Sequence, residues 1–239
     1  MEKILELKNI NKKLAKKQIL FDVSLSVNAW EIYWFLWPNW AGKTTTMKCI
    51  MWLIKPESWF IKVLWEDWLN IEAKKQIWFM PENTYLYKYL TGREFLKFNW
   101  WFFGIEEKEL EKRINDLLKK VWLEDSADKY LHTYSKWMLQ RIWLAQSIIN
   151  KPKLLFLDEP MSWLDPIWRK MVKDLLIELK KDWTTIFFNT HILADVESIC
   201  DKISIIHKWH IIVDSKEVSS ISWWLENFFI EEITKAETK

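Results

Sequence analysis

The chain has 239 residues, enough for one substantial core, and carries 35 basic against 33 acidic residues for a formal net charge of +2. Mixed charge of this size gives no sign of a nucleic-acid partner or a polybasic membrane anchor, and no uninterrupted apolar run reaches the about 18 residues of a membrane-crossing helix. Twenty tryptophans against three glycines invert ordinary usage, because glycine at roughly 7% would supply about 17 in such a chain.

Met1-Glu2-Lys3 opens without a cleavable signal pattern, so any membrane span is expected on another chain. Leu5-Glu6-Leu7-Lys8 and then Phe21 to Val27 alternate with period two, which predicts strands with one buried face in an antiparallel sheet beside the main core. The apolar run Ile32 to Leu36 predicts a buried strand and leads into Trp37-Pro38-Asn39-Trp40-Ala41-Gly42-Lys43-Thr44. This segment follows the form G-x-x-x-x-G-K-[ST] except that Trp37 holds the place of the first glycine. Met47, Ile50, Met51 and Ile54 then recur at helical spacing, with Cys49 on the apolar side. A strand, such a loop and a helix start wrap backbone N–H groups around phosphate, with Lys43 on the β and γ oxygens and Thr44 on Mg2+. Cys49 and Cys200 lack metal-ligand spacing and read as reduced thiols.

Tyr85, Tyr87 and Tyr89 alternate as on a strand face, and from about Leu90 to Ser135 the pattern turns helical and charged, including Glu106 to Lys120. Leu154 to Leu157 predicts a buried parallel strand that delivers Asp158 and Glu159 at its C-terminal edge, ahead of Pro160. There Asp158 is suited to hold Mg2+ through water and Glu159 to orient an attacking water. Pro166 to Lys181 predicts an amphipathic helix with Trp168, Met171, Val172, Leu175, Leu176 and Leu179 on one stripe. Thr185 to His191 predicts a second buried parallel strand, ending in His191, which is in reach of a γ-phosphate. His207-Lys208-Trp209-His210 separates two strand-like runs and predicts a tight hairpin with a φ > 0 residue, while His132, His207 and His210 read as surface or turn residues. Beyond Asp214 comes an acidic, aromatic tail with Trp223, Trp224, Phe228 and Phe229, placed to cap the domain or meet a partner.

From about Leu5 to Asp214, these motifs in this order make the chain resemble the ATP-binding subunit of an ABC transporter. Met80-Pro81-Glu82-Asn83, Leu90-Thr91-Gly92-Arg93-Glu94 and Tyr134-Ser135-Lys136 are most similar in wording to export-type subunits. The resemblance implies an α/β fold: a P-loop NTPase core with a mostly parallel sheet, an antiparallel β subdomain and an α-helical signature subdomain. The expected ABC ATPase domain covers 1–214, with the helical lobe inserted at roughly 90–145 and a C-terminal tail over 215–239.

The same resemblance implies a site. Trp37, Pro38, Asn39, Trp40, Ala41, Gly42, Lys43, Thr44 and Thr45 hold ATP in one subunit, while Ser135 and Trp137 of the signature segment close over it from the opposite subunit. Asp165, in Ser162-Trp163-Leu164-Asp165, lies at that dimer interface. Glu159 and His191 are the catalytic pair, and Thr44, Asp158 and Glu82 surround Mg2+. Glu82 stands where the family more often has glutamine, and its second implied role is coupling to the permease, next to the docking stretch around Tyr85 to Tyr89. Leu14 falls where an aromatic usually stacks on adenine, and Arg141 braces the signature helix. The implied function is Mg2+-dependent ATP hydrolysis by a homodimer or heterodimer at the cytoplasmic face of the membrane. It would energise a transmembrane permease on a separate chain, in the export direction, with no nucleic acid involved. The alternatives are a catalytically impaired nucleotide-sensing or scaffold subunit and a soluble ABC-type ATPase acting on ribosomes or DNA. The last is disfavoured by the single cassette and the absence of a long coiled-coil insertion.

Most tryptophans stand where a turn or a close approach calls for glycine: Trp37 and Trp40 in the loop, Trp59, Trp122 and Trp183 at junctions between elements, Trp209 in the hairpin. A bulky residue in the left-handed region costs on the order of 1–2 kcal/mol, against a total stability of about 5–15 kcal/mol. An indole at Trp37 or Trp40 would also cover amides that face phosphate. Three explanations are open: genuine tryptophans in a degenerate subunit, an altered sequence, or UGA codons that the host reads as glycine. The third is favoured, because Lys43, Asp158, Glu159 and His191 are all retained. Moreover, Arg93, Arg113, Arg141 and Arg169 are the only arginines among 35 basic residues, as an A/T-rich genome produces. On that reading Trp37, Trp40, Trp137 and Trp163 stand for glycines, whereas Trp52, Trp68, Trp100, Trp101, Trp223 and Trp224 stay open.

Overall fold

The computed structural model describes residues 2–14, 17–36, 43–51, 53–55, 57–67, 71–82, 86–98, 103–162, 164–221 and 224–238, leaving out the side chains at 14, 17, 43, 44, 58, 59, 66 and 67. Trp37 to Gly42, Trp52, Trp68, Asn83, Tyr85, Trp100, Trp101, Trp163 and Trp223 therefore lie outside the described residues, as do the side chains of Leu14, Lys43 and Thr44.

Strands β1 (Lys3–Leu14), β2 (Lys17–Asn28), β4 (Ser58–Val63) and β5 (Glu66–Asp67) form an antiparallel sheet in the order β2-β1-β4-β5. The period-two pattern explains its burial: Leu5, Leu7, Val23, Leu25 and Val27 are buried, and the residues between them are not. A second, six-stranded sheet contains β3 (Ile32–Leu36), β6 (Ile77–Met80), β7 (Leu154–Asp158), β8 (Thr185–Asn189), β9 (Lys202–His207) and β10 (His210–Glu217). Its order is β10-β9-β3-β8-β7-β6, parallel throughout except for the β9–β10 hairpin.

Eight helices complete the described fold: α1 (Lys43–Ile50), α2 (Ile71–Lys75), α3 (Gly92–Phe98), α4 (Glu107–Lys120), α5 (Lys136–Ile148), α6 (Pro166–Lys181), α7 (Leu193–Ile199) and α8 (Leu225–Glu237). Because side chains alternate along a strand, the six-stranded sheet divides the interior into two cores. Ile32, Trp34, Leu155, Leu157, Ile186 and Phe188 pack with residues of α3 to α8. Tyr33, Phe35, Phe156 and Phe187 face α1 and the antiparallel sheet. The central strands thus have apolar partners on both sides, which is why they read as unbroken apolar runs.

The helical lobe follows from local chemistry. Thr91 and Glu94 form a reciprocal capping box at the start of α3, Thr91 N–H to Glu94 Oε2 at 2.8 Å and Glu94 N–H to Thr91 Oγ1 at 3.2 Å. Gly92 between them has no room for a side chain, since a Cβ would meet the Tyr134 hydroxyl at 2.3 Å. Burial pushes that hydroxyl up to about 12, so it remains a neutral donor to the Ser126 carbonyl at 2.6 Å.

Several expectations change. The helix after β3 stops at Ile50, because the N–H groups of Leu53 and Ile54 both turn back to the Lys48 carbonyl, so Met51 and Ile54 lie beyond it. Trp59 sits inside β4 instead of at a junction. Tyr87 and Tyr89 are exposed and outside any strand, since Leu90 N–H closes a turn onto Tyr87 O at 3.0 Å. His207 is buried at the end of β9, its Nε2 3.7 Å from Glu237 Oε1 of α8, the helix that covers it. Strand β10 runs past Asp214, with Ser215 Oγ 3.3 Å from the buried Tyr33 hydroxyl, and the rest of the tail caps the domain. Phe228, Phe229 and Ile233 of α8 pack on the helical core.

Candidate functional site

Parallel strands β3, β8 and β7 are neighbours, so their C-terminal ends meet along one edge, where open α/β sheets bind ligands. Asp158, the last residue of β7, is paired in register with Asn189, the last of β8. Both are buried, and Asn189 Nδ2 lies 3.4 Å from Asp158 Oδ1 and 3.5 Å from Met47 Sδ of α1. The helix that follows the phosphate-loop segment therefore packs against the two acid-bearing strand ends. Asn189 Oδ1 is buried with no hydrogen-bond partner among the described residues. A carboxylate beside an unused amide oxygen at this edge is a donor set that fits a hard, oxygen-seeking cation such as Mg2+.

Glu159 follows with φ 52, in the left-handed region, and is 6% exposed. Its N–H donates to Asn189 O at 3.1 Å, its carbonyl accepts from Ser162 N–H at 3.2 Å, and Ser162 Oγ donates to Glu159 Oε2 at 3.3 Å. A non-glycine residue in this region costs on the order of 1–3 kcal/mol and persists only where the surroundings hold it. His191, exposed beyond the end of β8, places Nδ1 3.0 Å from the same Oε2. The carboxylate is fixed on one side by the protein and met on the other by a solvent-facing imidazole.

Comparison with known families now decides the assignment: residues 20–162 match the model of the ABC transporter family. The chain belongs to this family of ATP-binding domains. An ABC transporter ATP-binding protein of Nostoc, all4389, whose function is uncharacterised, is 42% identical over 191 residues, covering 79% of this chain and 57% of the relative. The chain thus spans little more than half of that relative's length. The bacitracin transport ATP-binding protein BcrA of Bacillus licheniformis is 34% identical over 211 residues, covering 87% of this chain and 68% of the relative. Among solved structures, an ATP-binding subunit of an ABC transporter superposes with a TM-score of 0.89 at 27% identity, covering 96% of this chain and 99% of the other.

The remaining motif residues lie on separate elements. Thr45 lies half-buried in α1. Ser135 is the N-cap of α5, its Oγ accepting from Met138 N–H at 3.2 Å, and Trp137 is exposed in the first turn of that helix. Asp165 caps α6, with Oδ1 accepting from Ile167 N–H at 2.9 Å and Trp168 N–H at 3.0 Å. Glu82 is exposed just beyond β6.

Gln140 was not singled out by sequence reasoning, yet it ties α5 to the loop that follows β7. It is buried in α5, and its Nε2 donates to Pro160 O at 3.1 Å and lies 3.5 Å from Glu159 O. Its signal in the sequence is weak, since Gln146 and Ser147 are also buried polar residues of α5. Arg141, next in the chain, donates to the carbonyls of Val121 and Trp122 at 3.1 and 3.2 Å, closing the end of α4 as expected of a brace.

Proposed function

We propose that this ABC domain hydrolyses ATP to energise a membrane permease carried on a separate chain, in the export direction. The observation that carries the reading is the Glu159–His191 pair, 3.0 Å apart beside Asp158 at the C-terminal sheet edge. In this reading Lys43 and the amides of 37–42 hold the phosphates of ATP. Glu159 orients and polarises the attacking water, and His191 steadies the γ-phosphate while holding the Glu159 carboxylate in place. Thr44 and Asp158, with Glu82, would hold Mg2+, which supplies charge neutralisation at the phosphate oxygens when bound.

Two copies, or this chain and a homologue, would sandwich two ATP molecules, Ser135 and Trp137 of one closing over the nucleotide of the other with Asp165 at the seam. Closure and reopening would be passed to the permease through the Glu82 and Tyr87–Tyr89 region on the cytoplasmic side. Export is supported by the wording around Met80-Pro81-Glu82, and a transport role by the likeness to a bacitracin transport protein. Among the described residues no helix is long and apolar enough to cross a membrane.

A second reading, a nucleotide-sensing or scaffold subunit, is favoured only if indoles truly occupy 37 and 40, where they would cover the phosphate-facing amides. ATP turnover by the chain with glycine at 37, 40, 137 and 163 tests the choice. Glu159→Gln in that background should lower turnover by about 10²-fold or more while leaving ATP binding intact. Turnover that is absent, or independent of Glu159, sinks the motor reading and leaves the sensing one. Co-purification with an integral membrane protein tests the permease partner.

A further inference from the structure

We propose that the protein made in its own host carries glycine at the positions of Trp30, Trp65, Trp122, Trp183 and Trp209, and that the remaining loop and signature tryptophans belong to the same set. The warrant is backbone geometry. Among the described residues, twelve non-glycine positions have positive φ, and five of these are tryptophan: Trp30 (64°), Trp65 (67°), Trp122 (50°), Trp183 (68°) and Trp209 (77°). Positive φ occurs in only a few per cent of non-glycine residues and is a genuine outlier for a bulky one. Such a concentration on one residue type has no explanation in the chemistry of an indole.

Each of the five sits in a motif whose geometry asks for glycine. Trp122 follows the C-cap Val121 of α4, with Trp122 N–H bonded to Lys119 O at 3.0 Å and Leu123 N–H to Leu118 O at 2.8 Å. Trp183 follows the C-cap Asp182 of α6, with Trp183 N–H to Lys180 O at 3.1 Å and Thr184 N–H to Leu179 O at 3.0 Å. These are two Schellman motifs, and the left-handed residue of that motif is usually glycine. Leu64-Trp65 joins β4 to β5 as the two-residue loop between the paired Val63 and Glu66, and Lys208-Trp209 joins β9 to β10 between His207 and His210. Both residues of each loop have positive φ, which is the type I′ hairpin, where glycine dominates the second position. Trp30 occupies the tight turn from β2 into β3.

Two more tryptophans misfit in another way. The indole N–H groups of Trp78 and Trp143 are buried with no hydrogen-bond partner among the described residues, whereas a tryptophan native to a core usually finds one. The chemical source that accounts for all of these at once is a UGA codon, read as glycine by the host and as tryptophan under another genetic code. Extension to Trp37, Trp40, Trp137 and Trp163 rests on the proposed nucleotide site, because the backbone at Trp137 is ordinary helix and the other three lie outside the described residues.

Peptide masses of the protein purified from its natural source, read beside the codons at the twenty tryptophan positions, test the inference independently of any activity. Glycine masses with UGA codons are expected at the five positions, and tryptophan masses or UGG codons there overturn the proposal. Tryptophan at 37 and 40 with glycine at the five overturns only the extension. A second arm compares the full tryptophan-bearing chain with two variants, tryptophan to glycine and tryptophan to alanine, at all five positions. Glycine should raise the thermal midpoint by about 2–4 °C per site and should exceed alanine, which retains the Cβ. Equal midpoints for the two variants overturn the claim that the backbone itself selects glycine.

Discussion

Arg169 Nε stands 3.6 Å from Asp195 Oδ2, joining α6 to α7. The Asp195 side chain is only 3% exposed, Lys173 Nζ supplies a second cation at 3.3 Å, and Arg169 Nη2 reaches back to the Leu164 carbonyl at 3.4 Å. A circuit results: Leu164 precedes the α6 cap, Asp195 lies one turn beyond His191, His191 meets Glu159, and Ser162 returns from Glu159 to the segment before Leu164. The residues that would sense the partner subunit and those that would activate water share one electrostatic tie.

Removing both cations should be far more damaging than removing the acid. With Arg169→Met and Lys173→Met together, a buried carboxylate is left uncompensated, costing about 3–5 kcal/mol. Asp195→Asn leaves two partly exposed cations, and about 1–2 kcal/mol is expected for loss of the two ion-pair contacts at 3.6 and 3.3 Å. Urea midpoints at unchanged slope check the asymmetry. A double variant as stable as Asp195→Asn would show that Asp195 is not held by these two cations.

His191→Ala should separate activity from stability. The ring is 67% exposed, so its loss should move stability by no more than about 0.5 kcal/mol, as surface substitutions do. Steady-state turnover in the glycine-restored chain should nevertheless fall by about 10²-fold or more, with ATP affinity preserved. A drop in affinity with turnover per bound ATP unchanged would assign His191 to binding instead of to the hydrolytic step.

The strands that carry the site were legible because burial on both faces writes an apolar run followed at once by its acid or polar terminus. Ile32 to Leu36 matches β3 end for end, whereas β7 runs one residue past the apolar run Leu154 to Leu157, to Asp158, and β8 stops at Asn189, two residues short of the expected His191. The hairpin at Lys208-Trp209 and the amphipathic stripe of α6 were equally open to reading. What sequence could not reveal depends on partners distant in the chain. His207 looks like a turn residue until Glu237 of α8 is seen above it. Gln140 looks like one polar residue on a helix until its amide is found at the Pro160 carbonyl. The alternating Tyr87 and Tyr89 carry a strand pattern with no sheet edge to join.

Gln140→Leu should therefore be felt twice. The Pro160 carbonyl loses its 3.1 Å donor inside the protein, a deficit of about 1–3 kcal/mol for an unsatisfied buried group. The left-handed turn at Glu159 also loses a restraint, so turnover should fall further than stability alone accounts for. Gln140→Glu retains the length but turns a donor into an acceptor facing a carbonyl, and should be worse than leucine on both measures. If the leucine variant matches the parent in denaturant midpoint and in turnover, the contact is incidental.

Alkaline stability should carry the mark of buried thiols. Burial pushes the Cys49 thiol from 9.0 up to about 11, with Lys12 opposing weakly, and Cys200 is raised in the same sense by burial and by Asp201 and Asp195. Both cysteines are free. In the unfolded chain each thiol would lose its proton near 9.0, while folded Cys49 keeps it until about 11. The folded state thus binds more protons through that window, and stability falls as pH rises across it, the contribution being whole below about pH 9. Cys49→Ala with Cys200→Ala removes this term along with some packing, but the packing loss does not vary with pH. The expected result is a gap between parent and double variant that narrows from about pH 8 to about pH 10.5. Alkylation gives a second readout: native Cys49 should resist a thiolate-selective reagent at pH values where the unfolded chain reacts at once. A gap constant with pH, together with rapid native alkylation, would mean that these thiols ionise as freely in the fold as in water.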